Sequence, residues 1–263
     1  MRMADYGWCW EGQGLDPGVY PSIFGVGEGA DFFGLRKVHL MFHPTTDLVL
    51  QKLSRFDEVV CDISKWKFRN CGEGDRGSES YADSSFETIC SEAEKVSRFS
   101  LTYKSVTGGY FDDMKGLMQG RGHGLKECAA VKSALRKHNP ALKLESVVYA
   151  HELDDQSFWK PVAEFIDVVS FWVWGCQNLE HLEDSLSQCR SMFPDKPITM
   201  GCYLRDYPTR APVPMDAVRR QWDVVARALE DNRINGYDIL GAVTIDGQLE
   251  QAQWIRDFIR AHS

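Results

Sequence analysis

The sequence of 263 residues lacks several features that define whole classes of protein. No stretch reaches the roughly 20 apolar residues of a membrane-spanning helix, so we expect no membrane partner. The eight cysteines include no CxxC pair, which argues against a structural zinc site, and their spacing requires no disulfide. The net charge is −8 and no Lys/Arg cluster forms a basic stripe, so a nucleic-acid partner is not expected.

The first residues, "MRMADYGWCWEG", also lack the apolar segment of a signal peptide. Two localisations stay open: the cytoplasm, or secretion with a leader that has been trimmed. The length is sufficient for one large core, and barrel domains often reach this size undivided. We therefore expect a single domain over residues 1–263.

The chain does contain a repeated alternation of short apolar runs with amphipathic stretches. The runs predict eight strands, at 5–12, 37–43, 57–64, 106–113, 142–152, 167–174, 196–207 and 240–246. The amphipathic stretches predict helices at 45–56, 85–100, 124–140, 157–166, 178–193, 214–232 and 249–262. Eight such units in a chain of this length predict an α/β fold, a (β/α)8 or TIM barrel. An open doubly wound sheet is the rival, but "GVGEG" at 25–29 opens no clear helix and is interpreted as a loop.

Active sites of such barrels lie at the C-terminal ends of the strands, and here those predicted ends are rich in acidic and aromatic residues. Indole rings stack on the apolar faces of sugars, and carboxylates bind sugar hydroxyls. With no phosphate-binding loop in view, the pattern favours a carbohydrate substrate. The candidate residues are Trp10, His43, Asp62, Asp112, Asp113, His151, Glu152, Trp172, Trp174, Tyr203, Arg205 and Asp246.

Asp112 and Asp113 are adjacent, and strand alternation allows only one of two neighbours to face the barrel axis. A small Gly109 facing inward would suit a crowded barrel centre. Asp113 shares its parity, so we favour Asp113 as the inward group and Asp112 as its neighbour. Asp113 and Glu152, on neighbouring strands, would then flank one glycosidic bond as the acid and the nucleophile or base. The Asp112 charge would raise the pKa of the carboxyl beside it.

The other candidates are predicted to hold the substrate. Trp174 is favoured for stacking, while Tyr203 and Asp246 would hold hydroxyl groups. Structural alternatives stay open for most of them. The two aspartates after strand four would cap a helix, Asp62 would pair with Lys65, and Trp172 would pack beneath helices. Further candidate contacts to substrate are His43, Trp10 and Arg205.

The segment "TGGYFDDM" resembles the "DGVFLDN"-type strand-four motif of glycoside-hydrolase-like (β/α)8 barrels, with the endo-polygalactosaminidase type as the closest group. The resemblance implies that Asp113 takes the position of the family's strand-four acid and Glu152 that of its strand-five acid. The sequence departs from the motif at Gly108, where the family has an acid, and at Asp112, where it has an apolar residue. These departures leave the substrate open.

The glycoside hydrolase hypothesis requires neither metal nor cofactor. Two other functions stay open at this point. One is a metal-dependent isomerase or hydrolase, although no HxH motif is present. The other is a sugar-binding barrel without catalysis, which would keep the Trp residues and tolerate loss of Asp113. The ligands of the metal-dependent alternative would be Asp62, Asp113, His151, Glu152 and Asp246.

Overall fold

Eight parallel strands close into a barrel, so the predicted fold class is confirmed. The computed structural model describes residues 2–11, 19, 21–64, 66–70, 78–82 and 85–263, and for 66–70 and 78–82 the backbone alone. Each barrel strand pairs with its neighbours in chain order, and the last pairs with the first. The barrel strands are β1 (Gly7–Trp10), β2 (Lys37–Leu40), β3 (Glu58–Asp62), β4 (Val106–Phe111), β5 (Lys143–Tyr149), β6 (Val168–Trp172), β7 (Ile198–Tyr203) and β8 (Gly236–Leu240).

Helices surround the barrel, and several begin where side-chain caps in the sequence allow. The Thr46 hydroxyl accepts the amide of Val49, and the Ser85 hydroxyl accepts that of Thr88. In the described part of the chain the helices are α1 (Val26–Phe33), α2 (Asp47–Leu53), α3 (Phe86–Thr102), α4 (Met114–Arg121), α5 (Leu125–Arg136), α6 (Gln156–Val162), α7 (Leu182–Met192), α8 (Met215–Glu230) and α9 (Leu249–Ala261). The described residues also form two antiparallel hairpins outside the barrel, Trp66–Asn70 with Ser78–Ala82 and Arg205–Asp206 with Ala211–Pro212.

The prediction of the eighth strand at 240–246 is wrong, because β8 ends at Leu240. Gly241 follows with a φ of 138°, and the chain then enters a 3-10 helix at Ala242–Thr244. The true strand was hidden because Asp238 interrupts its apolar run. That aspartate is fully buried inside the barrel, where hydroxyl groups replace water as its partners.

The interpretation of "GVGEG" as a loop is also wrong, because this segment lies at and within the start of α1. Glycine disfavours helices in isolation, which obscured the pattern. The packing explains why glycine is present. A Cβ at Gly29 would lie 2.5 Å from the Cβ of Ala242, so only glycine lets α1 approach the 3-10 segment so closely. Helix α4, which the sequence analysis did not predict, likewise contains Gly116 and Gly120.

The upper barrel interior is filled by large aromatic rings. The ring of Trp10 lies 5.1 Å from that of Trp172 and 4.8 Å from that of Tyr110, both edge-on. The indole N–H of Trp172 donates to the Ser170 hydroxyl at 2.8 Å. Space for Trp172 comes from the next strand, because a Cβ at Gly201 would lie only 2.0 Å from its indole ring. The barrel is therefore a packed core with a closed floor beneath its mouth.

We predict that Gly201→Ala destabilises the fold by about 1–3 kcal/mol, because the new methyl group would overlap the indole ring of Trp172. That ring cannot retreat, since Trp10 and Tyr203 pack against it at 5.1 and 4.9 Å. Urea unfolding measures the loss. The matched control is Gly120→Ala in α4, where the added methyl meets nothing within 4 Å and should stabilise by roughly 0.5–1 kcal/mol. Equal stability of Gly201→Ala and the parent protein would contradict this packing.

A buried group of charges lies deeper in the barrel. His39 is fully buried, with Nε2 at 3.3 Å from Glu145 Oε2 and Nδ1 at 3.5 Å from Asp238 Oδ1. The other oxygen of Asp238 accepts the hydroxyls of Ser170 at 2.8 Å and Thr199 at 2.6 Å. Burial alone would lower the pKa of His39, but the two carboxylates outweigh it and the net shift is upward. The two acids thus favour the charged form of the imidazole.

The cysteines behave as small core residues. Cys61 and Cys202 are completely buried, as their apolar context predicted. No disulfide joins any two of the seven cysteines of the described residues, and Cys71 lies outside that part of the chain. No helix in the described ranges is long and apolar enough to cross a membrane.

Candidate active site

The two aspartates after β4 reach the barrel mouth by different routes. Tyr110 faces the interior, with its ring 4.8 Å from that of His39, so Asp112 shares the inward parity. A Cβ at Gly109 would instead meet Leu135 of α5, so the prediction that Gly109 faces the barrel axis is wrong. Strand alternation therefore does not explain why Asp113 lies at the barrel mouth. Asp113 instead adopts a left-handed conformation, with φ of 46°, at the junction of β4 and α4.

That turn places Asp113 on the wall of an open cleft between the ends of β4 and β5. The cleft measures about 430 Å³, and Glu152 is also on its wall. Tyr149 lies between the two acids: its hydroxyl donates to Asp113 Oδ1 at 2.9 Å, and its amide donates to Glu152 Oε2 at 3.2 Å. The ring of His151 stacks on that of Tyr149, with centroids 5.4 Å apart. Both predicted acids therefore line one cavity.

The surroundings raise the pKa of both carboxyl groups. Burial is the largest cause for Asp113, opposed by the hydrogen bond from Tyr149 and by the charge of His151. Burial also raises the pKa of Glu152, and the Asp113 charge adds to this, while the Tyr149 amide and Lys115 oppose it. For His151, burial and Lys115 lower the pKa. Raised carboxyl pKa values in a cleft are typical of acid–base chemistry.

Aromatic rings continue the site towards β6 and β7. Trp174 is 40% exposed, and its ring stacks on that of Tyr207 at 5.8 Å. Tyr149 and Tyr203 present their rings at 6.1 and 6.0 Å from Trp174, nearly perpendicular to it. Trp174, Tyr203 and Arg205 line a small pocket here. This side of the mouth therefore offers a partly exposed indole.

Comparison with known proteins finds similarity in structure but not in sequence. No protein-family model and no curated protein matches the chain. A family 18 chitinase from Crocus vernus is 11% identical with a TM-score of 0.56, and the match covers 96% of this chain and 99% of that one. The glycoside hydrolase domain of PgaB from Bordetella bronchiseptica is 12% identical with a TM-score of 0.53, covering 98% and 90%. A Bacteroides uniformis β-glucuronidase is 12% identical with a TM-score of 0.58, covering 92% of this chain and 30% of that chain.

The fold is a TIM barrel, and these glycoside hydrolases share that architecture. At these identities the likeness establishes architecture, while the chemistry has to be argued from the residues of this chain.

Two predicted substrate-binding residues lie beneath the mouth. Trp172 is 2% exposed and Trp10 is 4% exposed, so both lie in the barrel core below the mouth. Asp62 is fully buried, and its Oδ1 accepts the amide and hydroxyl of Ser64, which shapes the turn after β3. Its predicted partner Lys65 lies outside the described residues.

The remaining predicted residues lie elsewhere around the rim. His43 is half exposed, and its Nε2 lies 3.0 Å from Glu11 Oε2, at the ends of β2 and β1. Asp246 accepts the Ser22 hydroxyl and lines a separate cleft that it shares with Arg205. Among the residues described, no three His, Cys, Asp or Glu side chains meet as metal ligands would, so the five predicted ligands form no metal site there.

Sequence reasoning missed three parts of this site. Tyr149 ends β5 on the same parity as Val147, and this alternation was the available signal. Tyr207 lies in an irregular turn, where no periodicity marks it. The sequence analysis also missed the buried partners His39 and Asp238. Both lie in apolar runs, and an apolar run predicts apolar neighbours in the core.

Proposed function

We propose that the protein is a glycoside hydrolase that cleaves its substrate with Asp113 and Glu152. The observation that carries this proposal is their placement on the wall of one cleft, at the ends of adjacent strands of the barrel. Cleavage of a glycosidic bond generally uses two carboxyl groups that flank it, one protonated and one ionised. The cleft has two carboxyl groups on its wall, and its open mouth would admit a polymer or an oligosaccharide.

The contacts of the two acids support different roles. Glu152 suits the general acid, because burial and the negative charge of Asp113 both favour its protonated form. Asp113 suits the ionised nucleophile or base, because the Tyr149 hydroxyl donates to it and stabilises the anion. Burial is the largest cause that raises the pKa of Tyr149, and the charges of Asp113 and Asp112 raise it further. The Tyr149 hydroxyl therefore stays protonated and can donate.

Substrate binding in this proposal falls to the aromatic side of the mouth. Trp174 offers a partly exposed ring against Tyr149, which lines the acid cleft, so a pyranose ring stacked on Trp174 would lie beside that cleft. The structural neighbours named as chitinases, a β-glucuronidase and a PgaB hydrolase domain support a sugar substrate. A narrower assignment to the endo-polygalactosaminidase type rests on the "TGGYFDDM" segment alone.

A screen of carbohydrate substrates tests the proposal. The purified protein is incubated with a panel of aryl glycosides and reducing-end-labelled oligosaccharides, and we expect release of shorter products from at least one of them. Proton NMR of the first product anomer then distinguishes retention from inversion. Binding of an oligosaccharide without cleavage would replace the proposal with a sugar-binding barrel, which the partly exposed Trp174 would equally serve. Neither binding nor cleavage across the panel would refute both.

A further inference from the structure

A second cleft opens between the segment after β7 and the segment after β8. It measures about 340 Å³, and its wall carries two arginines, Arg205 and Arg210, together with Asp246. The acid cleft has the opposite character, with Asp113 and Glu152 on its wall. The net charge of the chain is −8, so two cations on one cleft wall differ from the overall negative charge of the molecule. By the described residues on their walls, the first is here called the acid cleft and the second the basic cleft.

Arg210 is held in place by the short hairpin after β7. Its backbone is left-handed, with φ of 57°, and its amide donates to the carbonyl of Tyr207 at 3.3 Å. Asp206 fixes the turn, because its Oδ2 accepts the amide and the hydroxyl of Thr209 and its Oδ1 accepts the amide of Cys176. The hairpin thus presents the Arg210 side chain from a fixed backbone position.

The charges that face the cleft leave a cation available for a ligand. Arg210 is exposed and forms no ion pair with any carboxylate in the described part of the chain. Among the described residues of the wall the one acid is Asp246, which accepts a hydrogen bond from Ser22. A guanidinium group presents two parallel N–H donors that match the two oxygens of a carboxylate. The cleft is therefore built to favour an anionic group.

The basic cleft and the pocket on the aromatic side of the mouth have one wall residue in common. Arg205 lines both this cleft and the pocket that contains Trp174 and Tyr203. The pocket of Trp174 therefore borders the acid cleft through Tyr149 and the basic cleft through Arg205. A sugar unit in the basic cleft would meet cations on the wall.

We propose that this cleft is a subsite for a sugar unit that carries a carboxylate, that is, a uronic acid. The inference rests on the proposed function for the ligand being a saccharide, and it adds the chemical class of one unit. Arg210 binds the carboxylate as a specificity-determining residue, and Arg205 forms the buried part of the same wall, at 3% exposure.

Calorimetric binding of matched ligands tests the subsite. Glucuronate and galacturonate are compared with their methyl esters, which keep the ring and remove the charge. We expect at least one acid to bind about tenfold tighter than its ester. Arg210→Gln should abolish this difference, and Arg210→Lys should restore part of it, since Lys keeps the charge but not the fork. The control is Arg220→Gln, an exposed arginine on α8, which should leave the preference unchanged.

Three outcomes would overturn the inference: acids that bind no tighter than their esters, no binding of any acid, or a preference that survives in Arg210→Gln. Tighter binding of glucose 6-sulfate than of both uronic acids would reassign the cleft to sulfated sugars. Because the assay measures binding alone, an acid preference with no hydrolysis of any glycoside would refute the proposed function and leave the subsite standing. Hydrolysis without an acid preference would support the proposed function and refute the subsite.

Discussion

Asp113→Asn and Glu152→Gln are each expected to lower kcat by about 10²- to 10⁴-fold on the substrate that the screen identifies. Each change removes one of the two carboxyl groups of the cleft while keeping the shape of the side chain. The double variant should lose little more than the worse single variant, because the two groups act as a unit. Initial rates on purified variants give the numbers, and unchanged thermal midpoints show that folding is not the cause.

The pH dependence separates the two roles. Glu152 has to be protonated, so the rate should fall as pH rises through its raised pKa. Asp113 has to be ionised, so the rate should fall as pH drops through its own raised pKa. We expect a bell-shaped profile with both limbs above the usual carboxyl range. Glu152→Gln should lose the alkaline limb and be least impaired on aryl glycosides with acidic leaving groups, which need no protonation.

A nearby carboxylate provides the matched control. Asp154 lies two residues beyond Glu152, is exposed, and accepts a hydrogen bond from Gln188 away from the cleft wall. Asp154→Asn should retain the activity of the parent protein. If Asp113→Asn and Glu152→Gln also retained activity within about twofold, these two acids would have no part in the chemistry.

His39→Gln is expected to cost about 3–5 kcal/mol of unfolding free energy, the largest effect on stability that we predict. The change leaves Glu145 and Asp238 facing the barrel interior without their shared cation, and both are almost completely buried. Equilibrium unfolding in urea measures the loss. His138→Gln is the control, because that histidine is partly exposed and pairs with Glu94 at 3.4 Å, so its loss should cost no more than about 1 kcal/mol.

The sign of the pH effect follows from the direction of the His39 shift. Its pKa is raised in the folded protein, so the stability it contributes is fully present below the unfolded value near 6.5 and is lost as pH rises through the folded value. The gap between the parent protein and His39→Gln should therefore narrow from pH 6.5 upward. Should His39→Gln fail to fold, Asp238→Asn provides the milder test, since the amide keeps the volume but loses one charge. A gap that widens above pH 6.5, or an Asp238→Asn protein as stable as the parent, would contradict the buried ion group.

The fold was predictable because backbone periodicity depends on local sequence. Alternating apolar runs and amphipathic stretches occur wherever strands are covered by helices, so seven of the eight strands were found close to their true places. The eighth was missed because β8 carries Asp238, whose partners come from β6 and β7. No local pattern reveals that distant hydroxyls will satisfy a buried acid.

The candidate site was predictable only at the level of residue type. The positions of Asp113 and Glu152 followed from the strand ends, but the parity argument for Asp113 relied on Gly109, which faces outward onto α5. What places Asp113 in the cleft is a single left-handed residue, and strand alternation has no means of predicting it. Tyr149, which joins the two acids, likewise depends on the tertiary contact between β4 and β5.

Because the tryptophans are buried to different degrees, their intrinsic fluorescence can report on different parts of the molecule. Trp172 and Trp10 lie in the dry interior, whereas Trp174 stands at the rim, partly in water. Indole emission shifts with the polarity around the ring. The enclosed indoles therefore report unfolding of the barrel, and under the proposed function the rim indole would report saccharide binding, so that both events can be followed in a single fluorescence spectrum without an added label.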